Sequence, residues 1–411
     1  MKNLYRALLA GALPLLAGCH AEPGNTTATP PAHPPQAAVP RATAPTAAPV
    51  AAAPPFTGYH RYRGRVGGRP VTVVLTIDST EAYHGKKLAC TGSYYYGQAT
   101  GGLLNLAAKG TYQPQQPLQL RESASARATG TWQATQPAGP LLSGTWTSPA
   151  GKQLPFELRE DYTDGRGHLM AVRYEVLGES VVLPCQLEHY EEETKEEYRT
   201  RLENAPNGYD LPFLHLLGPD TLRRSLGALQ CPVPRERRQL VRAQAKENGC
   251  NYHSESLQVD YNDYGLLAWS GAWTDEYEGG ARPGHGQSAT VYDLRTGHVS
   301  TMADVFRTGA DALLQRLITQ HILHDDNPDL TPTPGLAVPA RADNLAPLPS
   351  DFSLEENGIA FLYNIDELAQ LTDGGAIILS VPVPYRELQP LLRPTSPVAR
   401  MLRERGLWRG Q

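Results

Sequence analysis

The chain has 411 residues, 37 of them basic and 42 acidic, with a formal net charge of -5. That balance leaves no electrostatic footprint for nucleic acid, which excludes DNA and RNA as partners. Beyond the first nineteen residues no stretch approaches the ~20 apolar residues of a membrane helix.

At the start, Lys2 and Arg6 precede an apolar run from Ala7 to Ala17 that ends in Leu16-Ala17-Gly18-Cys19. A positive beginning, an apolar core of this length and small residues before a cut are what a secretory signal requires. The order Leu-Ala-Gly-Cys resembles the lipobox, so residues 1–19 read as a lipoprotein signal, with cleavage before Cys19 and lipidation of that residue. Two or three acyl chains would anchor the chain stably in a membrane. The expected location is the cell envelope, and His20 in place of an acid after Cys19 favours the outer membrane by analogy with lipoprotein sorting. Residues 20–55 are almost entirely Ala, Pro and Thr and have nothing to fold around. They read as a tether reaching on the order of 100 Å.

From 56 to 160 the pattern changes to short runs rich in β-branched and aromatic residues, such as Val71 to Ile77 and Cys90 to Tyr96, separated by Gly, Pro and Ser. A small unit recurs here: Gly92-Ser93-Tyr94, Gly110-Thr111-Tyr112, Gly130-Thr131-Trp132 and Gly144-Thr145-Trp146. A glycine at a bend, a β-former and then an inward ring suits successive strands of an antiparallel meander. The expectation is an all-β domain of about eight strands, a meander or small barrel, whose rings fill its core or line a ligand cavity. Residues 161–179 form a connection in which Asp161 and Asp164 read as a polar turn, because their spacing does not match a calcium loop.

Charges thicken from Glu188 to Leu202, where a solvated helix is expected, and a second helix covers Arg235 to Glu247. Strands follow at Leu257 to Tyr261, Leu266 to Thr274 and Gln287 to Asp293. Of the cysteines left after Cys19, namely Cys90, Cys185, Cys231 and Cys250, an oxidising compartment permits disulfides in any of three connectivities. Cys231 with Cys250 is favoured as the shortest loop, and free buried thiols are the alternative.

Further along, the chain runs from a strand through Tyr277-Glu278-Gly279-Gly280-Ala281-Arg282-Pro283 to Val291-Tyr292-Asp293-Leu294-Arg295-Thr296-Gly297 and Asp304-Val305-Phe306. It then continues through Phe352 to Leu354, Gly358 to Tyr363 and Ile377 to Val383. In this order the segments resemble the RsiV/PdaC-type extracytoplasmic domain of unknown function, over about residues 180–392. The resemblance implies an antiparallel sheet with helices on one face, hence an α+β chain overall; beyond it Arg393, Arg400, Arg403, Arg405 and Arg409 read as a solvated basic tail at 393–411. Members of that family include extracytoplasmic parts of anti-sigma factors that bind lysozyme, and a domain that accompanies peptidoglycan deacetylases. The chain departs from the family pattern at Arg282, where a histidine is common, and over Ile365 to Leu371.

No G-x-S-x-G, H-E-x-x-H or P-loop occurs. His321, His324, Asp325 and Asp326 form the nearest metal-like cluster, but helix ends favour such residues for capping, so neither a metal nor a cofactor is expected. The functional expectation is a binding or sensing module for an extracytoplasmic protein or glycan, either a lysozyme-like protein or peptidoglycan. Its contact surface would comprise Tyr277, Gly279, Gly280, Arg282 and His285. A glycan-modifying enzyme and a structural spacer are the alternatives.

Overall fold

The computed structural model describes residues 56–409, apart from 78–88, 98–102, 111, 125–126, 184–186, 188–189, 191, 205–207, 218–230, 249, 278–282, 325–344, 365–366 and 368–377. The signal, Cys19 and the tether lie outside the described residues. Phe56–Gln411 forms one compact unit.

Its first part is an eight-stranded closed antiparallel barrel, β1(Gly58–Val66), β2(Arg69–Ile77), β3(Cys90–Tyr96), β4(Leu104–Ala108), β5(Gln119–Ala124), β6(Arg127–Ala134), β7(Leu141–Thr147) and β8(Gln153–Glu160). Each strand pairs with the next, and β1 also pairs with β8, which removes both sheet edges. Inward positions such as Tyr62, Val73, Leu75, Leu106, Leu120 and Phe156 fill the interior. The space left around Leu75, Leu120, Trp132 and Phe156 is about 10 Å³, room for roughly one water, so these side chains, one ring of the recurring unit included, pack as a core.

The recurring Gly-[Ser/Thr]-aromatic unit has a tertiary purpose. Tyr94 Oη, Trp132 Nε1 and Trp146 Nε1, three of its four rings, all donate to Glu122 Oε2, at 2.9, 2.8 and 2.6 Å. Glu122 is buried two residues after Leu120 on the inward side of β5. The glycine of the third unit makes room for the ring of the fourth, since a Cβ on Gly130 would lie 2.5 Å from Trp146 Nε1. Cys90 is a free thiol in the barrel core, where burial pushes its pKa up to about 12.

The second part is a six-stranded sheet in the order β14-β13-β12-β11-β10-β9, made of β9(Arg173–Val181), β10(Gly208–Leu217), β11(Tyr252–Asp263), β12(Leu266–Glu276), β13(Gly284–Asp293) and β14(His298–Ser300). Its first strand begins seven residues before the expected start of this part at 180. The expected antiparallel pattern holds except between β10 and β11, which run parallel over three pairs, Gly208–Asp210 with Tyr252–Ser254. The reason is the intervening helix: α1(Lys195–Asn204) precedes β10, and α2(Pro234–Asn248) lies between β10 and β11, so the chain returns in the same direction. Val241 and Ala245 of α2 are buried against Tyr209 and Leu211.

Two cores lie on the two faces of this sheet, as the strand period requires. Leu266, Ala268 and Val291 point into the larger core, shared with β15(Asp351–Leu354), β16(Gly358–Tyr363), β17(Leu379–Pro384) and the helices α3(Met302–Val305), α4(Asp311–His324), α5(Tyr385–Leu388) and α6(Pro397–Glu404). Leu267, Tyr292 and Leu216 point the other way, toward Tyr59 of the barrel. The β11–β12 turn is tight, with Tyr264 at φ 52° and Gly265 at φ 76°. Beside it Tyr95 Oη donates to Asp263 Oδ2 at 2.6 Å and Tyr59 Oη to the Asn262 carbonyl at 2.8 Å, tying barrel to sheet.

Two expectations are corrected. Residues 393–411 are no solvated basic tail: Val398, Met401 and Leu402 of α6 are fully buried, Arg400 forms two hydrogen bonds to Asp293, and Arg405 is 1% exposed. The Cys231–Cys250 pairing is also overturned, because Cys231 is a free thiol while Cys250 is disulfide-bonded, to a residue outside those described. The geometry explains it. The 15-residue helix α2 separates the two cysteines and spans about 22 Å, whereas a disulfide needs Cα atoms within roughly 7 Å.

Candidate binding surface

The hairpin of β12 and β13 extends well past the barrel, since Trp273 lies six residues, or about 20 Å, beyond Leu267 along β12. Asp275 pairs with Gly284, Thr274 with His285 and Trp273 with Gly286. Strand alternation therefore puts Trp273 and Asp275 on the face of Leu267, with Gly284 and Gly286 opposite them. Those glycines leave room for flat rings. A Cβ on Gly286 would fall 2.3 Å from Trp273 Cε2, and one on Gly284 would meet both Trp273 and Tyr277 at 3.5 and 3.8 Å. The result is an aromatic platform whose two rings stay open to solvent, Trp273 at 36% and Tyr277 at 48% exposure.

Beside the platform stands a carboxylate–histidine–carboxylate group. His253 Nδ1 is 2.5 Å from Asp275 Oδ1, and its Nε2 is 3.0 Å from Glu255 Oε1. Tyr209 stacks on the imidazole with ring centroids 4.5 Å apart, and Tyr252 Oη donates to Asp210 at 2.5 Å. Burial opposes the histidine's charge, but the bonds to Glu255 and Asp275 outweigh it and raise its pKa above the ordinary 6.5. With an acceptor at each nitrogen, both are committed as donors, and neither is left to take a proton from a substrate. The group braces the platform. Accordingly, Asp275→Asn is expected to lower the His253 pKa, read from the imidazole proton shifts against pH; an unchanged titration would remove this account of the brace.

The sequence-derived surface is only partly assembled here. Tyr277 lies on the platform, but His285 is on the opposite face, next to Thr274 Oγ1 at 3.1 Å, so the two do not converge on one ligand. The cause is the two-residue period of the strand, which separates His285 from its glycine neighbours. Gly279, Gly280 and Arg282 lie outside the described residues. On the His285 face, Gln287 accepts at its carbonyl from Asn364 Nδ2 and donates through Nε2 to the carbonyls of Tyr363 and Leu379, which fixes the hairpin to the three-stranded sheet. Trp273 and His253 were missed in the sequence; the alternation Trp273-x-Asp275-x-Tyr277 opposite Gly284-x-Gly286 was the available signal.

The other candidates resolve as local structure. His321 Nε2 pairs with Glu387 Oε2 at 2.8 Å on α5, while Asp325, Asp326 and the side chain of His324 lie outside the described residues. Asp161 accepts from the Thr163 backbone, and Asp164 from those of Arg166 and His168, making consecutive polar turns. Among the described residues, no helix is long and apolar enough to cross a membrane.

No family model matches the chain, and no curated protein matches it. The chain is similar to several solved structures, among them two of the DUF3298 family. One is a member of the DUF3298 family from Bacteroides fragilis, with 15% identity and a TM-score of 0.40, covering 56% of this chain and 98% of that one. The other is a DUF3298 family protein from Pseudomonas aeruginosa PAO1, with 14% identity and a TM-score of 0.35, covering 54% of this chain and 95% of that one.

Proposed function

We propose that this chain is a binding or sensing module of the cell envelope, lipid-anchored at Cys19, which contacts an extracytoplasmic protein or glycan through the end of the β12–β13 hairpin. The observation that carries the reading is the exposed pair Trp273 and Tyr277, held flat over Gly284 and Gly286. Rigid aromatic rings supply contact area at low entropic cost and are the side chains that most often dominate interfaces. Two carboxylates flank them, Asp275 and Glu255 on His253, so the surface suits a sugar face or a basic protein patch. A lysozyme-like protein and peptidoglycan are the two ligands of that description which the resemblance suggests.

Calorimetry of residues 56–411 against an animal-type lysozyme, and against soluble peptidoglycan fragments, tests the reading. Saturable heat with one of them should fall by about 2 kcal/mol or more in Trp273→Ala, the loss typical of a central aromatic anchor. Gly286→Val should do the same by displacing the ring without removing it. Silence with both ligands, or binding indifferent to both substitutions, would sink the assignment. Cys19→Ala should release the chain from the membrane fraction and abolish incorporation of labelled palmitate.

A further inference from the structure

A second site lies where the barrel meets the sheet, remote from the hairpin end. There an open-sided cleft of about 810 Å³ is bounded by Leu141 and Tyr162 on one side and by Leu169, Ala171, Val172 and Leu217 on the other. That volume is in the range of small-molecule sites, and the boundary between two packed bodies is where such sites recur. Ala171 and Val172 are fully buried beneath it, whereas Leu141 on its rim is half exposed, an apolar wall left facing solvent.

The charged groups at the cleft are unequally satisfied. Glu160 is engaged by His60 Nδ1 at 3.0 Å and by Tyr162 Oη at 2.6 Å. Asp161 is engaged by the Thr163 backbone and hydroxyl, both at 2.8 Å, and by Arg63 at 3.3 Å. Asp161 is engaged at both oxygens, whereas both bonds to Glu160 fall on Oε1. Arg159 and Arg173 have no carboxylate partner among the described residues, and the Nε of Arg173 is buried with no acceptor. The Arg173 guanidinium lies 5.1 Å over the Phe56 ring, and its charge helps to lower the Glu160 pKa without forming an ion pair with it. Burying the Arg173 Nε–H without an acceptor is costly, and an anion would satisfy it, while Arg159 stands exposed at the mouth of the cleft.

An apolar trough whose polar side carries two arginines that form no ion pair is complementary to one kind of molecule. We propose that this cleft binds a small amphiphile with an anionic head, of the fatty-acid class, its chain along Leu141, Leu169 and Val172 and its carboxylate at Arg173 and Arg159. This site is independent of the hairpin surface, and either can fail without the other.

The test uses residues 56–411, the compact unit, and three probes with one tail and different heads: laurate, dodecyl maltoside and dodecyltrimethylammonium, each below its micelle concentration. Laurate is expected to bind one to one, at least about tenfold more tightly than the trimethylammonium analogue, the difference expected of one charge-assisted contact. Among octanoate, decanoate and laurate, affinity should climb by up to about fourfold per methylene while the chain remains within the cleft. Arg173→Met should cost laurate about tenfold and leave the maltoside unchanged. Leu141→Trp, at a half-exposed position that folding does not depend on, should fill the trough and weaken all three. Equal affinity for the three heads, no loss in either variant, or no laurate binding at all would overturn the proposal.

Discussion

Glu122→Leu should unfold at markedly lower denaturant, with a loss of roughly 4 kcal/mol or more in the barrel transition. In the folded chain Tyr94, Trp132 and Trp146 direct an O–H and two N–H groups at one carboxylate oxygen, within 2.6 to 2.9 Å. Leucine supplies no acceptor, so up to three polar groups would be left in an apolar interior at about 1 to 3 kcal/mol each. Against a typical total stability of about 5 to 15 kcal/mol, that is a large fraction. Glu122→Gln retains one acceptor oxygen and should lose less than half as much. Because two of the donors are tryptophans, urea titration followed by fluorescence reports on this site directly. A Leu variant within about 1 kcal/mol of the parent would mean that the three bonds contribute little and that ring packing alone closes the barrel.

The second large effect is expected at Arg405, one of the largest fully buried side chains. Its Nη1 donates to the Glu356 carbonyl at 2.7 Å, and its Nη2 contacts the Glu356 carboxylate. Arg405 is buried and Glu356 partly so, and removing one member of a buried pair costs about 3 to 5 kcal/mol, an upper bound here because solvent reaches the Glu356 carboxylate. Here the loss depends on pH. Burial raises Glu356 from its ordinary 4.5 to about 7, with Arg405 pulling the other way and Asp263 adding to the rise. A carboxyl whose folded pKa exceeds its unfolded value binds an extra proton in the native state, so its contribution is complete below about 4.5 and is lost as pH climbs through about 7. Without Arg405 the folded pKa moves higher still. Arg405→Met should therefore cost little at pH 5, where Glu356 is neutral, and the full amount at pH 8. Adding Glu356→Gln should restore part of the loss at pH 8. Unfolding curves at the two pH values decide it, and equal losses at both would mean that Glu356 is not the titrating partner.

Local pattern made several elements legible in the chain itself. β-Branched runs of suitable length gave β2 and β3, and the charge spacing from Arg235 to Glu247 located α2 to within a residue at each end. Aspartate and glycine in Asp293 to Gly297 marked a turn, and Gly297 has φ 73° there. These features depend on neighbours a few residues apart, so a linear reading can find them.

What escaped the sequence were the relations between distant segments. Glu122 looks like an exposed acid on an alternating strand until barrel closure brings three rings to it. Arg400 of α6 and Arg405 just after it read as part of a solvated tail until Asp293 and Glu356, 107 and 49 residues earlier, accept hydrogen bonds from them. Cys231 and Cys250 are close in sequence, and the rigid helix between them is what keeps them apart. Strand alternation separates His285 from Tyr277, and the cleft with its unpaired arginines exists only where the barrel rests against the sheet. The chain alone determined strands, helices and turns, because those follow from short-range periodicity and backbone preference. Burial and charge compensation were decided by the tertiary structure, because both depend on which remote side chains folding brings within hydrogen-bond distance.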